Sequence, residues 1–304
     1  MADRNTIVVN SPGQSYSGLQ LSLLYLDDNQ VKDIGGNTDY GVFLSPDRKK
    51  LIYSQYRTGM NQRTTFAYDL ESGERRKLGN DNSFYRRFVG NGTYVGQDEL
   101  TFRQMNLSTG KSRVLYTHKE LMSMMTDVSE VKNASDTFII MDLFEVSQDQ
   151  KEIYMLVMLK DEFTIYRVSL QDDYQVKTYM TMKDIQQFRL LKNGDMIIQG
   201  EVDKVQGLYR YRAKQDQLDL LVKGTFWNFD LAADESRIAY VRSMENQKNE
   251  VHIAYLDENK LSSDTVIYRN IEHFIKLKWM EDELFVAGSS TEKSELYRFS
   301  FRAW

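Results

Sequence analysis

The sequence predicts an all-β chain folded as a β-propeller, and three observations carry that expectation. Short segments rich in Tyr, Val, Ile and Phe with period-two alternation recur along all 304 residues, separated by Gly, Asn and Asp clusters. Only Pro12 and Pro46 interrupt them, and helical periodicity is confined to a short turn at Lys119–Met125, which disfavours alternating strands and helices. The segments also repeat as a unit of two hairpins.

The first hairpin is clearest at Phe43-Leu44-Ser45-Pro46-Asp47-Arg48-Lys49-Lys50-Leu51-Ile52-Tyr53, two apolar stretches joined by a polar turn. Val146-Ser147-Gln148-Asp149-Gln150-Lys151-Glu152-Ile153 keeps the Ser, the Asp and the apolar residue that follows, and Leu231-Ala232-Ala233-Asp234-Glu235-Ser236-Arg237-Ile238 keeps the Asp and the strand. An Asp there can bond its own turn backbone while the flanks pair. Shorter versions occur at Val89–Thr93, Leu191–Asp195 and Trp279–Glu283, two of them with Asn-Gly, which accepts positive φ.

The second hairpin sets Gly73 between Leu70 and Leu78 and Gly110 between Leu107 and Leu115, three residues after one Leu and five before the next. Asn29 holds the same frame between Leu26 and Ile34, while Asp173, Asn259 and Asp216 hold it in part. Gly, Asn and Asp are the residues that best tolerate a left-handed turn position. Inner segments begin near residues 39, 85, 137, 186, 226 and 273, a spacing of roughly 40 to 50 residues that suits a four-strand blade. Residues 1–304 are expected to form a single propeller domain with blades of three to four antiparallel strands. If Thr6–Val9 begins a blade of its own the count is seven, the favoured number; if the N-terminal strands complete the last blade, it is six.

Ser45-Pro46-Asp47 before an apolar strand, then Tyr68-Asp69-Leu70-Glu71-Ser72-Gly73-Glu74, resembles the repeat of TolB-like, WD-related propellers. Residues 39–78 match well and other repeats in part, with Arg48 standing where the family has Gly. The motif is structural, so the resemblance implies a fold and brings no functional residues with it.

A net charge of -5 and pI near 5.4 argue against nucleic acid as a partner, since phosphate contacts need concentrated Lys and Arg. The stretches Arg75-Arg76-Lys77 and Arg86-Arg87 are short and read as solvated strand faces. No apolar run approaches the roughly 18 residues of a membrane span. The chain has no cysteine, which removes disulfides, thiolate metal sites and a Cys nucleophile.

No catalytic constellation stands out, and no cofactor or metal is expected. Gly13-Gln14-Ser15-Tyr16-Ser17-Gly18 is one residue too long for a nucleophile elbow. Gly35-Gly36 and Gly90-Asn91-Gly92 lack the spacing of a phosphate loop, and Asp27-Asp28, Asp172-Asp173 and Asp257-Glu258 read as turn-formers rather than calcium ligands. Of three histidines, His118 and His252 fall in outer strands and read as surface or packing residues, whereas His273 opens the last inner segment. The connections into the inner strands bring Asp39 with Tyr40, then Phe84, Tyr85, Arg86 and Arg87, then Phe226 and Trp227, then His273 and Phe274 to one loop face. Aromatics with Arg are the residues most common at binding hot spots, and aromatics between stacked blades are the competing reading.

The leading expectation is a non-catalytic, monomeric recognition scaffold binding a protein, peptide or glycan through Asp39, Tyr85, Arg86, Arg87, Phe226, Trp227, His273 and Phe274. The alternative is a channel-centred hydrolase or polysaccharide lyase-like enzyme with His273 as base or metal ligand and Arg86 or Asp39 beside it. The family resemblance implies a bacterial, extracytoplasmic protein, secreted or anchored by a segment outside this sequence, with the cytoplasm as the other location.

Overall fold

The structure, a computed structural model, describes residues 5–12, 18–39, 41–56, 63–79, 83, 85–98, 101–125, 138–159, 162–171, 175–244, 248–258, 260–271, 273–289 and 294–301. Their strands run as antiparallel meanders in chain order. The first is β1 (Thr6–Pro12), β2 (Leu19–Tyr25) and β3 (Gln30–Thr38), and the second is β4 (Phe43–Leu44), β5 (Lys50–Tyr56), β6 (Arg63–Asp69) and β7 (Arg75–Gly79). The single pair Thr38↔Gln55 joins these two into one seven-stranded sheet.

Four-stranded sheets follow: β8 (Tyr85–Phe88), β9 (Thr93–Gln97), β10 (Thr101–Asn106) and β11 (Ser112–Thr117), then β12 (Phe138–Val146), β13 (Glu152–Leu159), β14 (Glu162–Ser169) and β15 (Val176–Met182). After them come β16 (Asp184–Leu190), β17 (Met196–Val202), β18 (Val205–Arg212) and β19 (Gln217–Lys223), and then β20 (Phe226–Leu231), β21 (Arg237–Ser243), β22 (Asn249–Leu256) and β23 (Leu261–Ile271). The last sheet has three strands, β24 (His273–Met280), β25 (Glu283–Ser289) and β26 (Ser294–Ser300). This is the all-β propeller architecture, and β1 pairs along its length with β2 in a meander of its own. The expected inner segments near 85, 137, 226 and 273 begin strands within a residue of those positions.

The expected helical turn is α1 (His118–Met125), closed by a capping box. Glu120 N donates to Thr117 Oγ1 at 3.2 Å and Thr117 N donates to Glu120 Oε2 at 2.7 Å.

The chain divides into two compact units, one drawn from residues 1–136, 148–154 and 167–177, the other from 137–147, 155–166 and 178–304. Within the first, the core lies between consecutive meanders. Leu51 and Tyr53 of β5 pack with Leu21, Leu23 and Ile34, while Ile52 between them packs with Phe88, Tyr94 and Leu107. All three β5 residues are fully buried, which is what a strand covered on both faces requires. The second unit repeats the device: Ile238 and Tyr240 of β21 pack with Ile197 and Leu208, and Ala239 and Val241 pack with Leu277, Leu284 and Val286.

A ladder of charges runs beside that second core. Glu145, Arg189, Asp230 and Lys278 follow Phe144, Phe188, Phe229 and Leu277 on β12, β16, β20 and β24. Arg189 donates to Glu145 and stands 3.7 Å from Asp230 Oδ1, while Asp230 Oδ2 takes Lys278 Nζ at 2.9 Å and Trp279 N at 2.8 Å. Burial opposes the Arg189 charge, but Glu145 and Asp230 outweigh it and hold its pKa above the ordinary value.

The turns behave as the repeat predicts. Asn29, Gly73, Gly110 and Asp216 all take positive φ. In the first hairpins Asp47 Oδ1 accepts Ser45 Oγ–H at 2.6 Å and Lys49 N–H at 3.2 Å. The left-handed residue is the one after the Asp: Arg48, Gln150 and Glu235 sit at φ 60°, 61° and 63°. Asp173 and Asn259 lie outside the described residues.

Two outcomes are expected in denaturant unfolding. Asp230→Ala leaves Arg189 and Lys278 without their shared carboxylate and costs about 3–5 kcal/mol; a loss under about 1 kcal/mol would mean the ladder carries little stability. Arg48→Gly relieves left-handed strain of about 1–2 kcal/mol against a chain-entropy cost of about 0.5–1. A net gain of about 0.5–1 kcal/mol is expected, and a loss contradicts the strain argument.

Candidate active site

One polar cluster in the first unit stands apart from the apolar packing around it. Ser54 and Thr65 are cross-strand partners on β5 and β6, both fully buried, and their hydroxyls meet at 2.9 Å. Arg86, from β8, is 1% exposed and donates through Nη2 to Ser54 Oγ at 2.7 Å and Thr65 Oγ1 at 3.2 Å. One turn of pairing further out, Tyr56 faces Arg63, whose guanidinium lies 4.9 Å from the Tyr56 ring centroid and donates to its hydroxyl at 2.5 Å.

Asp39 joins this cluster because Thr38 is bridged to Gln55, which sets the next residue beside Ser54. Its N–H donates to Ser54 O at 3.1 Å, and Gly41 N–H returns to its Oδ1 at 3.0 Å. A Cβ on Gly41 would stand 3.0 Å from the Phe43 ring and 3.4 Å from Asp39 Oδ1, so glycine allows this close turn. Burial pushes the Asp39 carboxyl above the ordinary carboxylate range, and Arg86, Arg63 and the Gly41 and Ser54 backbone offset that only in part. A part-buried carboxyl whose pKa is raised by burial, with guanidinium groups near it, is equipped for proton transfer.

Of the other sequence-derived residues, Arg87 lies in the first unit, and Phe226, Trp227 and His273 lie in the second. Phe226 is buried and packs edge-on to Tyr240, whereas Trp227 beside it is 60% exposed. Arg87 is half-buried on β8 and His273 is exposed at the start of β24. The side chains of Tyr85 and Phe274, together with Tyr40, Phe84 and the Gly13–Ser17 stretch, lie outside the described residues. Of the eight proposed binding residues, the structure thus brings Asp39 and Arg86 into one electrostatic cluster.

His118 opens α1, and burial holds its pKa below the ordinary value against Asp98. His252 is packed: Nδ1 lies 3.0 Å from Asp264 Oδ1, Nε2 3.4 Å from Glu250 Oε2, and the ring stacks on Tyr240 at 4.9 Å. Among the described residues no group of three His, Asp or Glu converges as a metal centre needs. Ser54 and Thr65 had no signal of their own; as alternating strand residues they read like any others.

No family model matches the sequence, and no curated protein sequence matches it. Solved structures do. A post-proline cleaving enzyme from Rickettsia typhi is similar at a TM-score of 0.65 and 9% identity over 98% of this chain and 51% of that one. The acylaminoacyl peptidase of Pyrococcus horikoshii is similar at 0.63 and 11% over 97% and 49%, and the β-propeller domain of the Trilobed protease from Pyrococcus furiosus at 0.63 and 13% over 96% and 88%. At these identities the likeness is one of fold, and the fold is a β-propeller. The chain spans about half the length of the first two.

These comparisons correct one expectation. A non-catalytic recognition scaffold was the leading reading, but several solved structures that share the fold are enzymes, which overturns the preference for that reading over its hydrolase or lyase-like alternative. The scaffold reading rested on missing motifs, and a carboxyl raised by burial leaves no motif to find.

The Asp39 environment has a pH signature. With its pKa raised in the folded chain, the folded state holds more protons than the unfolded one between the two values, so the associated stability is complete below the unfolded carboxylate range and is lost as pH rises through the folded value. As pH rises from the unfolded carboxylate range through the raised folded value, wild type is expected to lose stability relative to Asp39→Asn in urea titrations. A wild type that gains on the variant over that range contradicts the assignment.

Proposed function

We propose that the protein is a propeller-bearing hydrolase acting on peptide bonds, with Asp39 as its general acid and base. The observation that carries this reading is the Asp39 carboxyl itself, raised by burial and set beside Arg86 and Arg63. The similarity to peptidase structures supports the class. In the ionised form Asp39 takes a proton from the attacking water, and the same proton then passes to the leaving amine, so the group returns to its starting state. Arg63, half-buried and braced on Tyr56, is the cation assigned to the developing oxyanion. Arg86 is too deeply buried to touch substrate and acts as a positioning residue through Ser54.

Residues 1–304 are taken as one TolB-like propeller domain, monomeric, with a peptide as substrate. No helix among the described residues is long and apolar enough to cross a membrane, and the family resemblance supports a bacterial, extracytoplasmic location.

The test is hydrolysis of a casein peptide mixture by the purified chain, followed by mass spectrometry. Asp39→Asn is expected to lower kcat by about 10²–10⁴ with little change in KM, and Asp39→Glu to recover part of it. Absence of cleavage by wild type, or full activity in Asp39→Asn, overturns the proposal.

A further inference from the structure

Three inner strands of the second unit share a defect in pairing. On β16 the register jumps between Ile185 and Gln187, on β20 between Phe226 and Asn228, and on β24 between Phe274 and Lys276. The extra residues are Gln186, Trp227 and Ile275, the same position in three consecutive repeats. Such bulges re-aim a side chain out of the pleat, and they concentrate beside functional sites. Here the result is that Phe226 turns into the core while Trp227 turns out to 60% exposure.

Exposure usually leaves an indole free to move, but this one is fixed. Trp227 Nε1 donates to Asn249 Oδ1 at 2.7 Å, and Asn249, 3% exposed, is held in turn by its own donation to Ile271 O at 2.9 Å. The polar neighbour is built as firmly. Gln199, 4% exposed, donates through Nε2 to Gln186 Oε1 and to Phe226 O, each at 2.7 Å, so one buried carboxamide ties the Gln186 side chain to the backbone preceding Trp227. Gln186 Nε2 donates to Asp184 Oδ2 at 3.0 Å. Opposite this bulge stands Gly200, where a Cβ would lie 2.2 Å from Asp184 O, so only glycine permits the arrangement.

We infer that Trp227, Gln186 and Asp184 form a saccharide-binding site. A pyranose has an apolar C–H face and a rim of hydroxyls. The pinned indole offers the flat apolar surface for the first, at little entropic cost because it is already ordered. For the rim, Asp184 brings carboxylate lone pairs and Gln186 has a second N–H and a second lone pair beyond the bonds described, a donor and acceptor set that matches vicinal hydroxyls. The site goes beyond the Asp39 reading and stands or falls without it.

Saturation-transfer NMR on the full chain with cellobiose, maltose, lactose and N,N′-diacetylchitobiose as probes, with Phe-Gly-Gly as a peptide comparator, tests it. At least one disaccharide is expected to bind, Trp227→Ala to weaken it more than about tenfold, Asp184→Asn to weaken it less, and Trp227→Phe to keep part of the affinity. Tyr255→Ala, an exposed aromatic elsewhere on the second unit, should bind as wild type does. Thermal unfolding of each variant at the wild-type temperature separates lost binding from lost folding. No disaccharide binding, binding unchanged in Trp227→Ala, or a Trp227-dependent signal from the tripeptide alone overturns the inference.

Discussion

The Asp230 carboxylate is the interaction on which the second unit turns. It is 3% exposed, and it receives Lys278 and the Trp279 backbone from β24 while facing Arg189 from β16. A buried carboxylate is costly unless charge and hydrogen bonds both compensate it, and here both do. The ladder also works by sign: Glu145, Arg189, Asp230 and Lys278 alternate along consecutive repeats. Identical repeats would set like charges side by side at this position. Some of the divergence that makes the repeat hard to see is therefore required by the electrostatics of stacking it.

The fold was legible where backbone conformation restricts residue choice. Asn29, Gly73, Gly110 and Asp216 share one turn position and all adopt positive φ, so the spacing alone located the outer hairpins. Runs such as Leu51-Ile52-Tyr53 were legible for a different reason, since only a strand buried on both faces needs consecutive apolar residues. Legibility stopped one residue short in the inner hairpins. Asp47, Asp149 and Asp234 were the visible turn-formers, while the left-handed conformation falls on Arg48, Gln150 and Glu235, whose side chains do not advertise it.

The site was less legible because it depends on pairing across strands. Asp39 and Arg86 could be assigned to the same loop face, but what links them is Ser54 opposite Thr65, a pairing set by register rather than by residue type. Bulges hide in the same way. Phe226 and Trp227 look equivalent in sequence, and strict alternation would place one on each face of the sheet; only the extra residue in β20 decides which enters the core.

Comparison of the two charged clusters shows why only one reads as chemistry. In the ladder every charge faces an opposite one, so protonating or removing any member costs folding energy and the groups are held in one state. Asp39 is different. Burial favours its neutral form, Arg86 and Arg63 favour the ionised form, and the backbone supplies only modest support for the anion. Opposed influences of that kind leave a carboxyl able to change protonation, while Arg86 Nη2 keeps its own bonds to the Ser54 and Thr65 hydroxyls. A group whose proton can leave and return while its neighbours stay in place is what acid–base catalysis needs and what a structural ion pair avoids.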